Sequence, residues 1–306
     1  MKDSVVATVI DPEKCIGCGE CVRVCPDETL SMQDGKAVVT GDRSMHCGHC
    51  AAVCPTDAVT VGGLEPAARS FATFPMDDRW LAFGRYDLPD LVRLMGSRRS
   101  CRNYREMEVS RDLLEDLVKI GITAPSGTNS QKWTFTILPH RRAVLALGRQ
   151  IARFFEKLNR MAEKPWLRKG LRWIGKPQLD DYFRDYYDSV RQGLRDWRES
   201  GRDRLFHGAT AAIIVGATPG ASCPAEDALL ATQNILLAAH AMGLGTCLVG
   251  FAKDALVHDP KMKATLDIPA EEAIYAVIAL GYPDETYRHP AGRKMPVIRY
   301  AAFNGR

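Results

Sequence analysis

Seven of the ten cysteines lie between positions 15 and 54, and they set the chemistry of the chain. They stand as Cys15-x2-Cys18-x2-Cys21-x3-Cys25-Pro26 and then Cys47-x2-Cys50-x3-Cys54-Pro55. The second run is one cysteine short, and Ser44 stands in its place. Thiolates are soft, charged donors that suit iron, and short spacers let three of them converge on one face of an iron–sulfur cube. Gly17, Gly19 and Gly48 leave room for backbone N–H groups to approach the sulfurs, which raises the reduction potential. Two Cys-x2-Cys pairs would also suit zinc. Four cysteines at 2-2-3 spacing before a proline, followed by a near repeat, are too many ligands for one such ion.

Over about residues 1–62 this pattern resembles a two-cluster bacterial-type (4Fe-4S) ferredoxin. The resemblance implies that the last cysteine of each run crosses to the other cluster. Cys15, Cys18, Cys21 and Cys54 would hold a complete first cluster, and Cys25, Cys47 and Cys50 a second that lacks one thiolate. At that corner a serine alkoxide from Ser44, a histidine ligand from His46, or an empty corner on a three-iron cluster is chemically open. The intact remainder of the repeat favours a four-iron cluster with a non-cysteine fourth ligand. Val5–Ile10, Lys36–Thr40 and Ala58–Val61 read as strands of a small βαββαβ module, marginal without its clusters.

At 306 residues the chain has room for more than one domain, and 46% apolar with 25% charged residues is ordinary for a soluble protein. Its apolar runs are too short to span a bilayer. The N-terminus shows no apolar signal core, so export is not expected, and cysteines committed to iron suggest a reducing cytoplasm. The net charge of +4 is uneven: residues 141–206 hold 17 Lys+Arg against nine Asp+Glu.

Residues 63–89 read as a linker, broken by glycine and proline but carrying Phe71, Phe74, Trp80 and Phe83 to pack as it runs. A helix is expected from Pro89 to Gly96, and another is capped by Ser110 and stops at Gly121. Between them lies Arg98-Arg99-Ser100-x-Arg102-x-Tyr104. After them comes Ala124-Pro125-Ser126-Gly127-x-Asn129-x-Gln131-x-Trp133, then a strand over Thr134–Leu138. Ala211–Val215, an Ala/Leu helix over Asp227–Met242 that is apolar nearly all round and so buried, Gly243–Phe251 and Ala273–Tyr282 complete the pattern.

In that order these stretches are similar to the nitroreductase family of FMN enzymes, over about residues 90–306. The resemblance implies an α+β fold, a nitroreductase-like α/β sandwich that is dimeric, with the flavin between subunits. Guanidinium forks suit a phosphate dianion, and Arg98, Arg99, Ser100 and Arg102, closed by Arg293 and Lys294, become the expected phosphate site. A solvated basic turn is the plain alternative. Pro125, Ser126, Gly127 and Asn129 would meet a flavin edge, or serve only as a capped loop. The backbone at Val249 and Gly250 matches the family segment that donates to the flavin ring. No side chain stands out as a general acid, so no catalytic residue is named.

The basic stretch at about 140–207 departs from a minimal member of that family. It reads as amphipathic helices packing aromatics on the body, with a lid, a dock for an acidic electron carrier, or a membrane-surface helix around Lys164–Lys176 as alternatives. Nucleic acid is not expected, since no reader motif accompanies the charge. The reading is a cytoplasmic, homodimeric FMN oxidoreductase. It would take electrons from an external ferredoxin or another low-potential donor, NAD(P)H included, through 4Fe-4S clusters to FMN and on to a small organic acceptor. Its rival is a redox-sensing or electron-carrying protein that docks a macromolecular partner without turnover.

Overall fold

A computed structural model describes residues 5–301. Residues 1–4, part of the stretch read for a signal core, lie outside the described residues. The cysteine-rich stretch folds as β1 (Thr8–Ile10), α1 (Glu20–Arg23), β2 (Leu30–Gln33), β3 (Lys36–Val39), α2 (His49–Ala52) and β4 (Val59–Val61). β1 and β4 pair antiparallel, with Thr8 opposite Val61. β2 and β3 form a hairpin turned by Asp34 and Gly35, both left-handed as a two-residue turn requires. The βαββαβ order holds. β2 is the strand that sequence reading passed over, although Asp34-Gly35 is a strong hairpin signal. Six buried side chains form the core, Leu30, Ala37, Ala58 and Val59 with Cys15 and Cys21.

The connecting segment packs in its first half only. Phe71 and Phe74 stack at 4.6 Å, and the buried carboxylate of Asp116 accepts from the Ala72 and Thr73 amides and the Thr73 hydroxyl. Trp80 and Phe83 touch edge-on but face solvent, contrary to the expectation of packing.

α3 (Leu88–Ser97) carries Pro89 in its first turn and is capped by Asp87, and α4 (Arg111–Gly121) is capped by Ser110. After β5 (Trp133–Leu138) come α5 (Arg141–Ala162), α6 (Pro165–Trp173), α7 (Gln178–Asp185) and α8 (Tyr187–Ser200). Then follow β6 (Ala211–Ala217), α9 (Pro224–Ala241), β7 (Gly245–Leu248), α10 (Gly250–His258), α11 (Pro260–Ala264) and β8 (Ala273–Gly281). The sheet order is β5-β6-β8-β7, antiparallel throughout.

Successive side chains of β6 alternate between faces, and both faces are covered. Ala211, Ile213 and Val215 meet Leu114 and Leu117 of α4 and Ile235 of α9. Ala212 and Ile214 meet Leu147 and Ile151 of α5 and Leu256 of α10. This is an α+β sandwich, helices on either side of one sheet.

The helices α5–α8 seat most of their aromatics on the body. Phe251 of α10 meets Phe155 at 5.5 Å and Tyr186 at 5.8 Å, both edge-on. Trp166 and Trp173 of α6 remain exposed. α9 is less buried than its composition implies. Leu229 and Leu230 are 50% and 45% exposed, and Leu88, Val92 and Met95 of the neighbouring α3 are also open. Among the described residues no element covers these side chains, which stay open on two neighbouring helices. Among the described residues no helix is long and apolar enough to cross a membrane.

Candidate functional site

Three groups of expected site residues fall in three places. The first is the cysteine repeat. Burial pushes the Cys50 thiol up, and Cys47 and Cys25 lie close enough for their charges to act on it; Cys15 and Cys18 act on Cys21 in the same way. Cys25 of the first run therefore groups with the second run, as the crossover requires. Cys25, Ser44, Cys47 and Cys50 line one cavity.

Burial also raises the Cys25 thiol, but hydrogen bonding from Thr29 and from the Asp27 and Leu30 amides outweighs it and brings it below its usual range. Cys54 is lowered by the same geometry, with the Ala58 amide 3.2 Å from its sulfur. Donors arrayed on thiolates are what a cluster ligand needs, so the donor set fits iron–sulfur chemistry. Ser44 is buried and accepts the His46 amide at 3.1 Å. The His46 ring lies instead 2.9 Å from the Val5 carbonyl and does not line the cavity.

The second place is the loop before β5. The Gly127 amide donates to Asp227 Oδ1 at 2.8 Å, and the Ser130 hydroxyl reaches the other oxygen of that carboxylate at 3.3 Å. A Cβ on Gly127 would sit 2.9 Å from Cys223 Sγ, so the loop lies flat on the start of α9 only because this residue is glycine. Thr128, Asn129 and Gln131 are all left-handed, a costly conformation that the surrounding contacts impose. The Asn129 side chain faces the cysteine repeat: its amide donates to Met45 O at 2.9 Å and His46 O at 3.1 Å. The indole N–H of Trp133, next along the chain, is buried without a protein acceptor.

The third place is the arginine stretch. Ser100 forms a parallel bridge to Thr246 of β7, and the Cys101 amide donates to Thr246 O at 2.9 Å, which pins the stretch to the sheet edge. Arg98 and Arg99 line a cavity of about 340 Å³ with Gly243, Gly245, Glu285 and Tyr287. Burial, and then the like charges of Arg99 and Arg293, pull the Arg98 guanidinium below its ordinary value. Among the described residues none of these three makes an ion pair. Glu285, the carboxylate in the lining, is spent on the Arg102 amide at 2.7 Å, the Asn103 side chain at 2.9 Å and the Tyr287 hydroxyl. Convergent guanidiniums without a paired carboxylate fit an anion such as a phosphate.

The remaining expected residues divide. Ser100 hydrogen-bonds to Cys247, whose buried thiol is pushed up and stays neutral despite Arg102 and Arg98 nearby. Val249 spends its amide on the Val277 carbonyl, so it has none to give a ligand. Gly250 opens α10, where an amide has no acceptor within the helix. Lys294 is exposed and is not part of the cavity lining, unlike Arg98 and Arg99.

Within one chain the arginine cavity and the Pro125–Asn129 loop are not brought together. The cavity is lined by His240, Gly243 and Leu244 at the C-terminal end of α9, whereas the loop is fixed to Asp227 at its start. About 20 Å of helix rise separates those ends. Asp227 was not among the expected site residues. The signal for its larger role was a first-turn acid next to a glycine-bearing loop, visible only once the two meet in space.

The nitroreductase family model matches residues 95–282, and the 4Fe-4S dicluster domain model matches residues 9–58. The 4-nitrobenzoate reductase of Nocardioides sp. (strain LMS-CY) is 28% identical over 230 residues, 69% of this chain and 88% of its own. Ferredoxin-2 of Desulfomicrobium norvegicum is 59% identical over 32 residues, 10% of this chain and 54% of its own. A solved nitroreductase with bound FMN from Desulfitobacterium hafniense DCB-2 matches with a TM-score of 0.50 at 21% identity, over 69% of this chain and 97% of its own, and so speaks for the fold. The chain is an oxidoreductase that belongs to the nitroreductase family and carries a 4Fe-4S dicluster domain ahead of the family's fold.

Proposed function

We propose that the chain is an FMN-dependent oxidoreductase that takes single electrons from a low-potential donor such as an external ferredoxin. They pass through the dicluster domain to FMN, and on to a small organic acceptor of nitroaromatic, activated-alkene or quinone type. The observation that carries this reading is the Asn129 amide on Met45 O and His46 O. It fastens the second cluster loop to the loop expected at the flavin. FMN, when bound, supplies the junction between one-electron and two-electron chemistry.

The chain's own residues supply binding and position. Arg98, Arg99 and Arg293 hold the phosphate charge, with Ser100 and Arg102 beside them. Pro125, Ser126 and Gly127 would flank the ring, with the Asn129 side chain turned to the cluster loop instead, and the first-turn amide of Gly250 would donate to it. Ser44 stands as the fourth ligand of the second four-iron cluster, with His46 diverted to Val5. The protein works in the cytoplasm as a homodimer, whose contact is the apolar face left open on α3 and α9. The division into a cluster domain at 1–62, a linker at 63–89 and an FMN domain at 90–306 follows from the same reading.

The test is the spectrum and FMN content of the anaerobically purified chain. Flavin bands over cluster absorption, bleached by a reduced ferredoxin and restored by a nitroaromatic, are expected. Arg98→Ala should lose a charge-assisted contact of about 1.5–3 kcal/mol and so weaken FMN binding ~10–100-fold in equilibrium dialysis. A cluster-replete protein unable to bind FMN would overturn the reading in favour of an electron carrier.

A further inference from the structure

The second cluster loop and the arginine cavity of one chain serve opposite ends of α9. Asn129 ties Met45 and His46, and with them Cys47, to the loop that Asp227 anchors at the helix start. Arg98 and Arg99 sit with His240 and Gly243 at the helix end. The sheet repeats this separation. The arginine stretch is pinned to β7 and the loop leads into β5, and these are the two edges of β5-β6-β8-β7, roughly 14 Å apart across three strand spacings. A chain's own cluster is therefore badly placed to serve its own arginines.

A second copy resolves this. The exposed apolar side chains Leu229 and Leu230 of α9, with Leu88, Val92 and Met95 of α3, form a patch that another copy can cover. Contacts in a two-fold dimer are reciprocal, and an axis across α9 sets the two helices antiparallel. The start of each α9, with its Asn129 loop, then meets the arginine end of the other.

We propose that electron delivery is crossed between copies: the second cluster site of one chain, held by its Asn129, feeds the flavin bound in the arginine cavity of the other chain. This rests on the reading that the loop and the arginines form one flavin site in a homodimer. Asn129 is then a positioning residue that acts through the Met45–Cys47 loop. Each flavin reduced takes two electrons, delivered singly as two molecules of reduced external ferredoxin are oxidised, and its protons come from solvent.

Mixed dimers of the full chain test the crossing. Co-expression with two affinity tags gives one dimer with Cys50→Ala and Arg98→Ala/Arg99→Ala on the same chain beside a wild-type chain. A second dimer carries Cys50→Ala on one chain and the arginine pair on the other. Both should hold about half the wild-type FMN by absorbance, a readout independent of turnover. With reduced external ferredoxin, crossed delivery predicts that the opposite-chain dimer bleaches its flavin at the wild-type rate per FMN. The same-chain dimer should bleach on the order of tenfold more slowly or worse. The reverse pattern, or equal rates in the two dimers, would overturn the crossing.

If Cys50→Ala fails to fold, Asn129→Ala takes its place. It should give the same ranking when rates are taken per bound FMN, with the iron content unchanged, and equal rates would again overturn the proposal. Failure of the underlying reading looks different, since the wild-type chain would then be monomeric, free of FMN, or unable to pass cluster electrons to its flavin.

Discussion

Cys15-Ile16-Gly17-Cys18 and Ser44-Met45-His46-Cys47 occupy matching places in the cysteine repeat, and their backbones agree. The third residue is left-handed in both, φ 72° at Gly17 and 49° at His46. Cys15 and Ser44 are buried to nearly the same degree, 8% and 9% exposed. Gly19 and Gly48, at the start of α1 and α2, also match at φ 75° and 73°. What differs is the ligand atom and the setting. The complete half exposes Cys18 to solvent, whereas the serine-bearing half is held by Asn129 against the larger domain. The conformation of the repeat does not depend on the fourth thiolate, so the chemistry of that corner is free to vary at the seam, where a cluster potential matters to its neighbour.

The largest effect that separates the halves is expected at the left-handed position. A Cβ on Gly17 would meet the Gly35 carbonyl at 2.0 Å, in a conformation an alanine already resists. Gly17→Ala should cost ~2–6 kcal/mol, strain and overpacking together, more than a core of six side chains tolerates. Iron content should collapse with it. His46→Gly at the matching place relieves backbone strain while freeing the Val5 carbonyl, and should stay within about 1 kcal/mol. Iron analysis and thermal unfolding of both variants check this. Equal losses would mean that the two halves are not built alike.

Next in size is the effect on electron flow. Cys18→Ala removes a ligand from the exposed half only, and should abolish flavin reduction by a reduced ferredoxin. The acceptor half-reaction, started photochemically, should keep its rate in stopped flow. Loss of both half-reactions would make the cluster domain structural rather than a conduit.

Much of this was legible because spacing alone encodes it. The cysteine runs, the cap at Ser110 and the helix that Pro89 opens follow from local pattern. What escaped depends on residues far apart in sequence. Asn129 looked like a flavin contact, but its partners lie more than 80 positions away. Asp227 and Asp116 take their donors from loops about 100 and 43 positions away, which no local pattern records. Val249 lost its expected role because β8 takes its amide. The apolar circumference of α9 implied burial, but it could not say that part of that burial is left to a surface outside the chain.

A smaller effect sharpens the comparison at the seam itself. Ser44→Cys restores the ligand set of the first half on a backbone already shaped for it. It should leave the iron count unchanged and shift the potential of one cluster only, since a soft thiolate replaces a hard oxygen donor. Redox titration followed by electron paramagnetic resonance separates the two clusters. No shift in either would mean that Ser44 holds no iron.

The smallest expected effect concerns the tether that follows the serine-bearing half. Asp116 accepts the Ala72 and Thr73 amides at 3.1 and 2.8 Å and the Thr73 hydroxyl at 2.7 Å, while Lys119 donates to Ser70 O at 2.7 Å. Burial pushes the Asp116 carboxyl up, but the Thr73 hydroxyl, the two amides and Lys119 outweigh it and hold it below its ordinary value. A carboxyl lowered in the folded state binds fewer protons there than in the unfolded chain. Its stabilisation is therefore present at neutral pH and is lost as pH falls below about 4. Hydrogen exchange at the Thr73 amide reads this directly. Protection should hold at neutral pH and fall with acid beyond the intrinsic pH dependence of exchange. Asp116→Asn keeps an acceptor oxygen without the charge. It should lower protection at neutral pH by about 1–2 kcal/mol and flatten the acid limb. An acid limb unchanged in Asp116→Asn would place the pH-sensitive tether elsewhere, and leave Asn129 as the contact that holds the serine-bearing half in place.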